Sequence, residues 1–272
     1  MPAPPAHRGP SIRKARIPAS DSLKARVMES LEQEESATTR ALSTRLSLHQ
    51  SSVSHTLKEL MEEDLVTKKG KGYRLSNIGI IQRNIHNLMG KSLRCLEDHK
   101  DFFLSHDLSV IPRGFQVSMG VVDEGRMIIE KDPAMPFQVN DIIIPLLAQS
   151  RNFLVASSTM VPDHQQTVAR AMREGGHLKT VTTARVIQEL RLKNHILKDD
   201  SLHSRIELYC HKNINLHLII ADSHLILALP RLDGTYDLEN VIISREEAAL
   251  EWGRMLFYYF LSGSEKVDLA TF

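Results

Sequence analysis

The stretch that decides the fold reads Ala41-Leu-Ser-Thr-Arg-Leu-Ser-Leu-His-Gln50, then Ser51-Ser-Val-Ser-His-Thr-Leu-Lys-Glu-Leu-Met-Glu-Glu-Asp-Leu-Val66. Within it, Val53, Leu57 and Leu60 recur at helical spacing, which predicts a helix with an apolar stripe turned towards a core. Residues 47–50 have the Ser-x-x-Gln form of a capping box, which predicts that the helix begins there. A shorter helix is predicted just before it, at 38–46.

The outer face of this helix is polar. Because each residue advances by about 100°, an inward apolar stripe leaves Ser51, His55 and Lys58 on the opposite face. Small hydrogen-bonding side chains and one cation suit a helix in a DNA major groove, where donors and acceptors meet base edges. The alternative is a solvated face in a module that binds protein. We predict DNA contacts from Gln50, Ser51, Ser52, Ser54, His55 and Lys58.

A basic hairpin is predicted immediately after the helix. Residues 66–69 and 73–76 have the composition of two short strands around Gly70-Lys71-Gly72. Cations on a tight turn suit contact with DNA phosphates, although such a turn is also common as a solvated hairpin. The predicted phosphate-binding residues are Lys68, Lys69, Lys71 and Arg74.

Residues 41–66, with a helical pattern upstream at Leu23, Val27 and Leu31, resemble the helix-turn-helix of bacterial and archaeal winged-helix regulators. The resemblance implies an α+β winged helix-turn-helix DNA-binding domain over residues 20–76. Residues 1–19 are rich in proline and basic residues and are predicted to be a disordered arm.

A long helix is predicted from Ile78 to His99, and residues 77–106 are predicted to link the two domains. Its seam runs through Ile78, Ile81, Ile85 and Leu88, then Ser92 and Cys95, at spacings of three and four. The seam fits either packing within one chain or a helix that joins two copies. A homodimer is expected, since one recognition helix covers only half of a palindromic site.

Beyond residue 107 the pattern changes to alternating strands and helices, which predicts an α/β domain at 107–262 and a short tail at 263–272. One of the predicted strands is Phe115–Val121. We expect this domain to sense an effector, because it is larger than a dimerisation element requires. The sequence does not indicate which residues would bind that effector.

Three phrases of the C-terminal part, residues 101–112, 234–237 and 252–259, resemble an archaeal family of winged-helix regulators best populated in methanogens. The C-terminal domain of that family is linked to the regulation of methanogenesis. The resemblance implies transcriptional regulation, but it supplies no effector-binding residues.

The same domain is distantly similar to the phospholipase D-like fold, whose catalytic form carries two His-x-Lys motifs, each followed by an Asp. Here His177-Leu-Lys179 occurs once, and Ala184 stands where the Asp is expected. With no second motif to supply a partner histidine, we predict no catalytic residues and no enzymatic activity.

Metal and cofactor sites are not predicted. Five of the 13 histidines cluster in the sequence, but no His-x-x-x-His or Cys-x-x-Cys spacing accompanies them, and the chain has only two cysteines. No nucleotide fingerprint is present either. The clustered residues are His195, His203, His211, His217 and His224.

Composition sets the remaining limits. The 272 residues are 42% hydrophobic and 25% charged, which is ordinary for a globular protein, and no signal peptide or membrane-spanning run is visible. Residues 1–75 carry 13 Lys and Arg against 9 Asp and Glu, whereas the remainder carries 21 against 24. The positive N-terminal part is compatible with a polyanionic partner.

These observations favour a cytoplasmic, sequence-specific DNA-binding regulator. The expected partners are double-stranded DNA, a second copy of the chain and an unknown small-molecule or protein effector, with no membrane. Two alternatives remain: a divergent phosphodiesterase tethered to DNA, and a winged-helix module for protein–protein contact.

Overall fold

The computed structural model describes residues 22–32, 34–123, 127–129, 138–193 and 199–271. The predicted arm at 1–19 lies outside the described residues. The chain divides into two compact units between Gly90 and Lys91.

The first unit contains three helices and a hairpin. They are α1 (Leu23–Glu32), α2 (Thr39–Leu46), α3 (Gln50–Glu62), β1 (Val66–Lys69) and β2 (Gly72–Leu75), and α4 (Asn77–Asp98) begins directly after them. Val53, Leu57 and Leu60 of α3 are buried in one apolar cluster with residues of α1, α2 and the hairpin. The predicted inward stripe of this helix is therefore confirmed.

The turn between α2 and α3 differs from the prediction. Ser47 ends α2 in the left-handed conformation, with φ of 54°, and the N–H of Leu48 donates to Ser43 O at 3.0 Å. His49 precedes the first turn of α3, where no side chain caps the helix. The predicted capping box is wrong, because Ser47 closes one helix and is not positioned to open the next.

The exposed apolar face of α4 differs from the seam predicted from the sequence. Ile78, Ile81 and Ile85 are exposed as a seam requires, but Cys95 is buried. Ser92 Oγ donates to Val117 O at 2.7 Å and so faces its own unit. Apart from Ile80, the exposed large apolar residues of α4 lie within an arc of about 120° at about 100° per residue. They form a stripe, called the α4 stripe below, made of Ile78, Ile81, Ile85, Met89, Leu93 and Leu96.

The second unit is built on a mixed sheet. Its elements are α5 (Lys100–Ser105), α6 (Arg113–Val117), β3 (Met127–Ile129), α7 (Gln138–Ala148), β4 (Asn152–Ser157), α8 (Pro162–Arg173), β5 (His177–Thr182), α9 (Ala184–Lys193), β6 (Ile206–Cys210), β7 (His217–Ile220), β8 (Leu225–Pro230), β9 (Tyr236–Ser244), α10 (Glu247–Ser262) and β10 (Glu265–Lys266). The strand order is β10-β6-β5-β4-β7-β8-β9-β3. The β4–β5 and β5–β6 pairs are parallel, and the other pairs of this sheet are antiparallel.

Apolar layers cover both faces of the sheet. Residues of α7, α8 and α9 form a cluster with side chains from one face, and α10 forms a second cluster with side chains from the other. Every residue of β7 and β8 is buried. The mixed α/β class of the chain is confirmed, with helices on both sides of a largely buried sheet.

Two segments of this unit depart from the sequence-based expectation. The predicted strand Phe115–Val121 is helical, with α6 followed by a 3₁₀ turn. Met119 is buried in the apolar cluster with α10, and Trp252 Nε1 donates to Phe115 O at 3.2 Å. Alternation over so short a run does not separate strand from helix. The predicted tail at 263–272 adds β10 to the sheet, and Leu269 joins the core.

The sequence phrases at 101–112 and 234–237 meet in a buried ionic cluster. His106 Nε2 lies 3.3 Å from Asp237 Oδ2, and Arg231 Nε donates to the same oxygen at 2.8 Å. Asn240 Nδ2 also donates to it, at 2.7 Å. A buried carboxylate is costly without such partners. The residues of these two sequence phrases therefore stabilise the fold around Asp237.

Candidate nucleic-acid interface and buried cavity

The predicted groove-reading residues share the outer face of α3. Gln50, Ser51, Ser52, Ser54, His55 and Lys58 are all exposed. His55 has 74% of its side chain exposed, and its Nδ1 is 3.9 Å from Glu59 Oε1. The acidic residues of α3 are confined to its C-terminal half, at Glu59 and Glu62. The N-terminal half therefore presents small polar groups to solvent with no acidic side chain of its own.

The hairpin brings the predicted phosphate-binding residues together on a two-residue turn. Lys69 pairs with Gly72 across the turn, and Gly70 has φ of 61°, a conformation that favours glycine. Lys68, Lys71 and Arg74 are exposed.

Lys69 differs from the other three cations, because its ammonium forms an ion pair with Glu35 Oε1. The hydrogen bond from Lys69 is the main reason that the pKa of the Glu35 carboxyl is lowered from its ordinary value. Arg74 contributes to this shift through its charge. One of the four predicted phosphate contacts is thus already engaged by an acidic side chain.

The second unit contains a cavity of about 110 Å³ between α8, α9 and one face of the sheet. Most of its wall is apolar and comes from valine, leucine, isoleucine and methionine side chains. One part of the wall is polar, where Ser157, His164, Thr182 and His217 meet, and Thr159, Gln165 and Thr180 also line the cavity. In the sequence His217 stands out only as one of five clustered histidines, and no pattern there marks His164 or the cavity.

A chain of hydrogen bonds fixes this polar wall. Ser157 Oγ donates to Thr159 O at 2.9 Å, which uses its single proton. With the hydroxyl proton assigned to that bond, the oxygen accepts from His217 Nδ1, 2.8 Å away. His217 Nε2 consequently carries a lone pair, and His164 Nδ1 donates to it at 3.4 Å. The chain ends at His164 Nε2, a buried acceptor without a hydrogen-bond partner.

Both histidines are held in the neutral form. Burial lowers the pKa of His164 from 6.5 to about 4, an effect that the nearby Asp163 charge opposes. Burial lowers the pKa of His217 to about 3, and His164 adds to that shift. The polar wall is therefore uncharged at neutral pH.

Neither His177 nor Lys179 of the His-x-Lys motif is among the residues that line this cavity. Lys179 Nζ lies 3.0 Å from Glu207 Oε1, and Tyr209 OH donates to Glu207 Oε2 at 2.7 Å. The pKa of Glu207 is lowered chiefly by the hydrogen bond from Tyr209 and further by Lys179. Lys179 thus belongs to an ion pair between the neighbouring strands β5 and β6.

Within the part of the chain that the structure describes, no three His, Cys, Asp or Glu side chains converge on a point that would hold a metal ion. His195 lies outside the described residues. None of the helices in the described ranges is both long and apolar enough to cross a membrane.

Comparison with known families assigns both units. Residues 13–93 match the N-terminal domain of the methanogenesis regulatory protein FilR1, and residues 136–263 match its middle domain. The chain belongs to the FilR1 family. A curated relative, the methanogenesis regulatory protein FilR1 of Methanothrix harundinacea (strain 6Ac), is 26% identical over 267 residues. That match covers 94% of this chain and 58% of the relative, so the chain spans about three fifths of the relative's length.

Among solved structures, TrmBL2, an archaeal chromatin protein, aligns with a TM-score of 0.44 and 16% identity over 90% of this FilR1-family chain and 93% of the other. The phospholipase D family member Nuc from Salmonella typhimurium has a TM-score of 0.40 and 14% identity, covering 53% of this chain and 97% of Nuc. An IclR transcriptional regulator from Alicyclobacillus acidocaldarius has a TM-score of 0.25 and 14% identity, over 88% and 94% of the two chains.

The neutral histidines predict a pH dependence for the second unit. Between pH 6.5 and about 4 the unfolded chain binds protons at His164 and His217 that the folded unit does not. The free energy of unfolding should therefore fall as the pH drops through this window, by up to about 1.4 kcal/mol per pH unit for each histidine. Urea unfolding at several pH values, followed by fluorescence of the single tryptophan, buried Trp252, measures this dependence.

His164→Phe should reduce that slope by about the contribution of one proton, because the replacement cannot ionise. Gln166→Ala, an exposed position on the same helix, serves as the control and should leave the slope unchanged. An identical slope in the wild type and in His164→Phe would contradict the assignment of a neutral, buried His164.

Proposed function

We propose that the chain is a sequence-specific DNA-binding transcription regulator whose first unit is a winged helix-turn-helix. The observation that carries the proposal is the exposed polar face of α3 beside a hairpin with three exposed cations. Membership of a family of regulatory proteins supports it. The proposed domains are the winged helix at 20–76, a linking helix at 77–106 and an effector domain at 107–262.

In this proposal α3 enters the major groove, and the hairpin forms the wing. Gln50, Ser51, Ser52, Ser54, His55 and Lys58 meet base edges and nearby phosphates, whereas Lys68, Lys71 and Arg74 bind phosphates. Lys69 takes part only when phosphate displaces Glu35, because the two side chains are paired in the free protein. A regulatory rather than a catalytic role follows, with double-stranded DNA as the partner.

Removing two wing cations should weaken DNA binding in a salt-dependent way. In the Lys68→Ala, Lys71→Ala variant, the affinity for any duplex should fall, and the negative slope of log K against log salt should become shallower by about 2, since each lost phosphate contact removes about 0.9 from its magnitude. Fluorescence anisotropy with labelled duplex DNA, repeated at several salt concentrations between about 50 and 200 mM, gives this slope.

Lys24→Ala is the matched control, since Lys24 lies on α1 outside the hairpin and its Nζ is already paired with Glu63 Oε1 at 2.8 Å. Its salt slope should equal that of the wild type. Glu35→Gln should act in the opposite direction and raise the affinity, because it releases Lys69 and removes an anion from the wing. An unchanged slope in the double variant would show that the hairpin does not bind phosphates.

We also propose that two copies associate through the α4 stripe. The stripe places six large apolar side chains in water along one helix face, and such faces are typical of helix–helix interfaces. A two-fold dimer would present two α3 helices to a palindromic site.

Charges in the stripe should separate the copies. Ile81→Glu with Ile85→Glu should convert a species of dimer mass into one of monomer mass, because the interface would then bury four unpaired carboxylates. Sedimentation velocity at micromolar concentration measures the mass. Asn84→Glu, exposed on the same helix but away from the stripe, should stay dimeric. Wild-type protein of monomer mass, or a double variant that remains dimeric, would refute this interface.

The second unit is proposed to bind an effector that changes the affinity for DNA. An effector acts only when it binds the two states of the regulator unequally, and a tenfold change in DNA affinity needs about 1.4 kcal/mol of coupling.

A further inference from the structure

We propose that the cavity beneath α8 binds a small, uncharged and mostly apolar molecule that donates one hydrogen bond to the His164 imidazole. Binding itself does not depend on DNA. Its role as the effector site rests on the proposed regulatory function.

The size and lining of the cavity select for an apolar body. Its volume is about 110 Å³, and an engineered apolar cavity of about 150 Å³ in another protein admits benzene. Val168 and Met172 of α8, Val186 of α9 and Leu208 of β6 contribute to the wall. Burying a ring or a short aliphatic group against these side chains is favourable at roughly 25 cal/mol per Å² of apolar surface.

The direction of the hydrogen-bond chain selects for a donor. We assign the Ser157 proton to its bond with Thr159 O; the later bonds then run towards Ser157 and leave His164 Nε2 as an acceptor at the other end. His164 is 5% exposed, and this atom has no partner. A buried polar atom without a hydrogen bond is costly, so a hydroxyl or N–H group that reaches it gains the full benefit of the new bond.

The absence of charge in the described wall excludes ions. No Lys, Arg, Asp or Glu side chain is among the described residues that line the cavity. The two histidines are neutral at pH 7, because burial lowers both pKa values well below 6.5. A carboxylate or phosphate would lose its hydration without gaining a counter-charge. The ligand is therefore neutral when bound.

The proposal predicts how three simple probes rank. Phenol and toluene have nearly the same size, but phenol carries a hydroxyl where toluene carries a methyl group. Benzoate carries a negative charge. Isothermal titration of the full-length chain, without DNA, should show saturable binding of one phenol per chain and no measurable binding of benzoate. A cavity without a usable acceptor would instead accept toluene and reject phenol.

Variants of α8 locate the site. In His164→Phe, the ratio of phenol to toluene affinity should fall about tenfold, because the ring is retained and only the acceptor is lost. Ala169→Leu, which adds bulk to a lining position, should abolish binding of both probes. Gln166→Ala is the exposed control on the same helix and should bind both as the wild type does. Circular dichroism verifies that each variant is folded.

The proposal is overturned if wild-type protein fails to bind phenol, if benzoate binds as well as phenol, or if His164→Phe retains the wild-type ratio. These outcomes are separate from the proposed function. A chain that binds DNA but not phenol refutes the cavity site alone, whereas a chain that binds phenol but no duplex DNA refutes the regulator and leaves the site intact.

Discussion

Complete burial of β7 and β8 is the constraint on which the second unit depends. Both faces of these strands are covered by apolar layers, so each polar group they carry must find a partner inside the protein. His217 is the polar side chain of β7 and cannot reach water. Its bond to Ser157 on β4, and its contact with His164 on α8, satisfy both ring nitrogens. The polar wall of the cavity therefore exists because a histidine, and not an apolar residue, occupies this buried position of β7.

In the first unit, by contrast, one face of the helix α3 remains uncovered. Three apolar residues fix α3 against the core, which leaves the small polar residues of the opposite face in solvent. The hairpin then holds its cations on a turn that Gly70 makes possible. Glu35 pairs with one of those cations, Lys69, so in the proposed DNA interface this carboxylate would compete with phosphate for that ammonium.

Periodicity predicted the parts that depend on neighbours in sequence. The spacing of Val53, Leu57 and Leu60 was sufficient to predict α3 and its exposed face, and the Gly-bearing turn predicted the hairpin. Local patterns failed where a partner decided the outcome. Residues 115–121 are helical because they pack against α10, and Ser47 ends α2 instead of capping α3. The His164–His217 pair joins positions 53 residues apart, and no spacing in the sequence reveals it.

The central claim is that α3 reads a DNA sequence, and selection from random duplexes tests it most directly. The full-length chain should enrich one motif with two-fold symmetry, its half-sites about one helical turn or a multiple of that apart. Substituting Ser51 or His55 should change the enriched bases. A selected pool that has the same base composition as the input, at a salt concentration where the protein binds DNA, would contradict the claim.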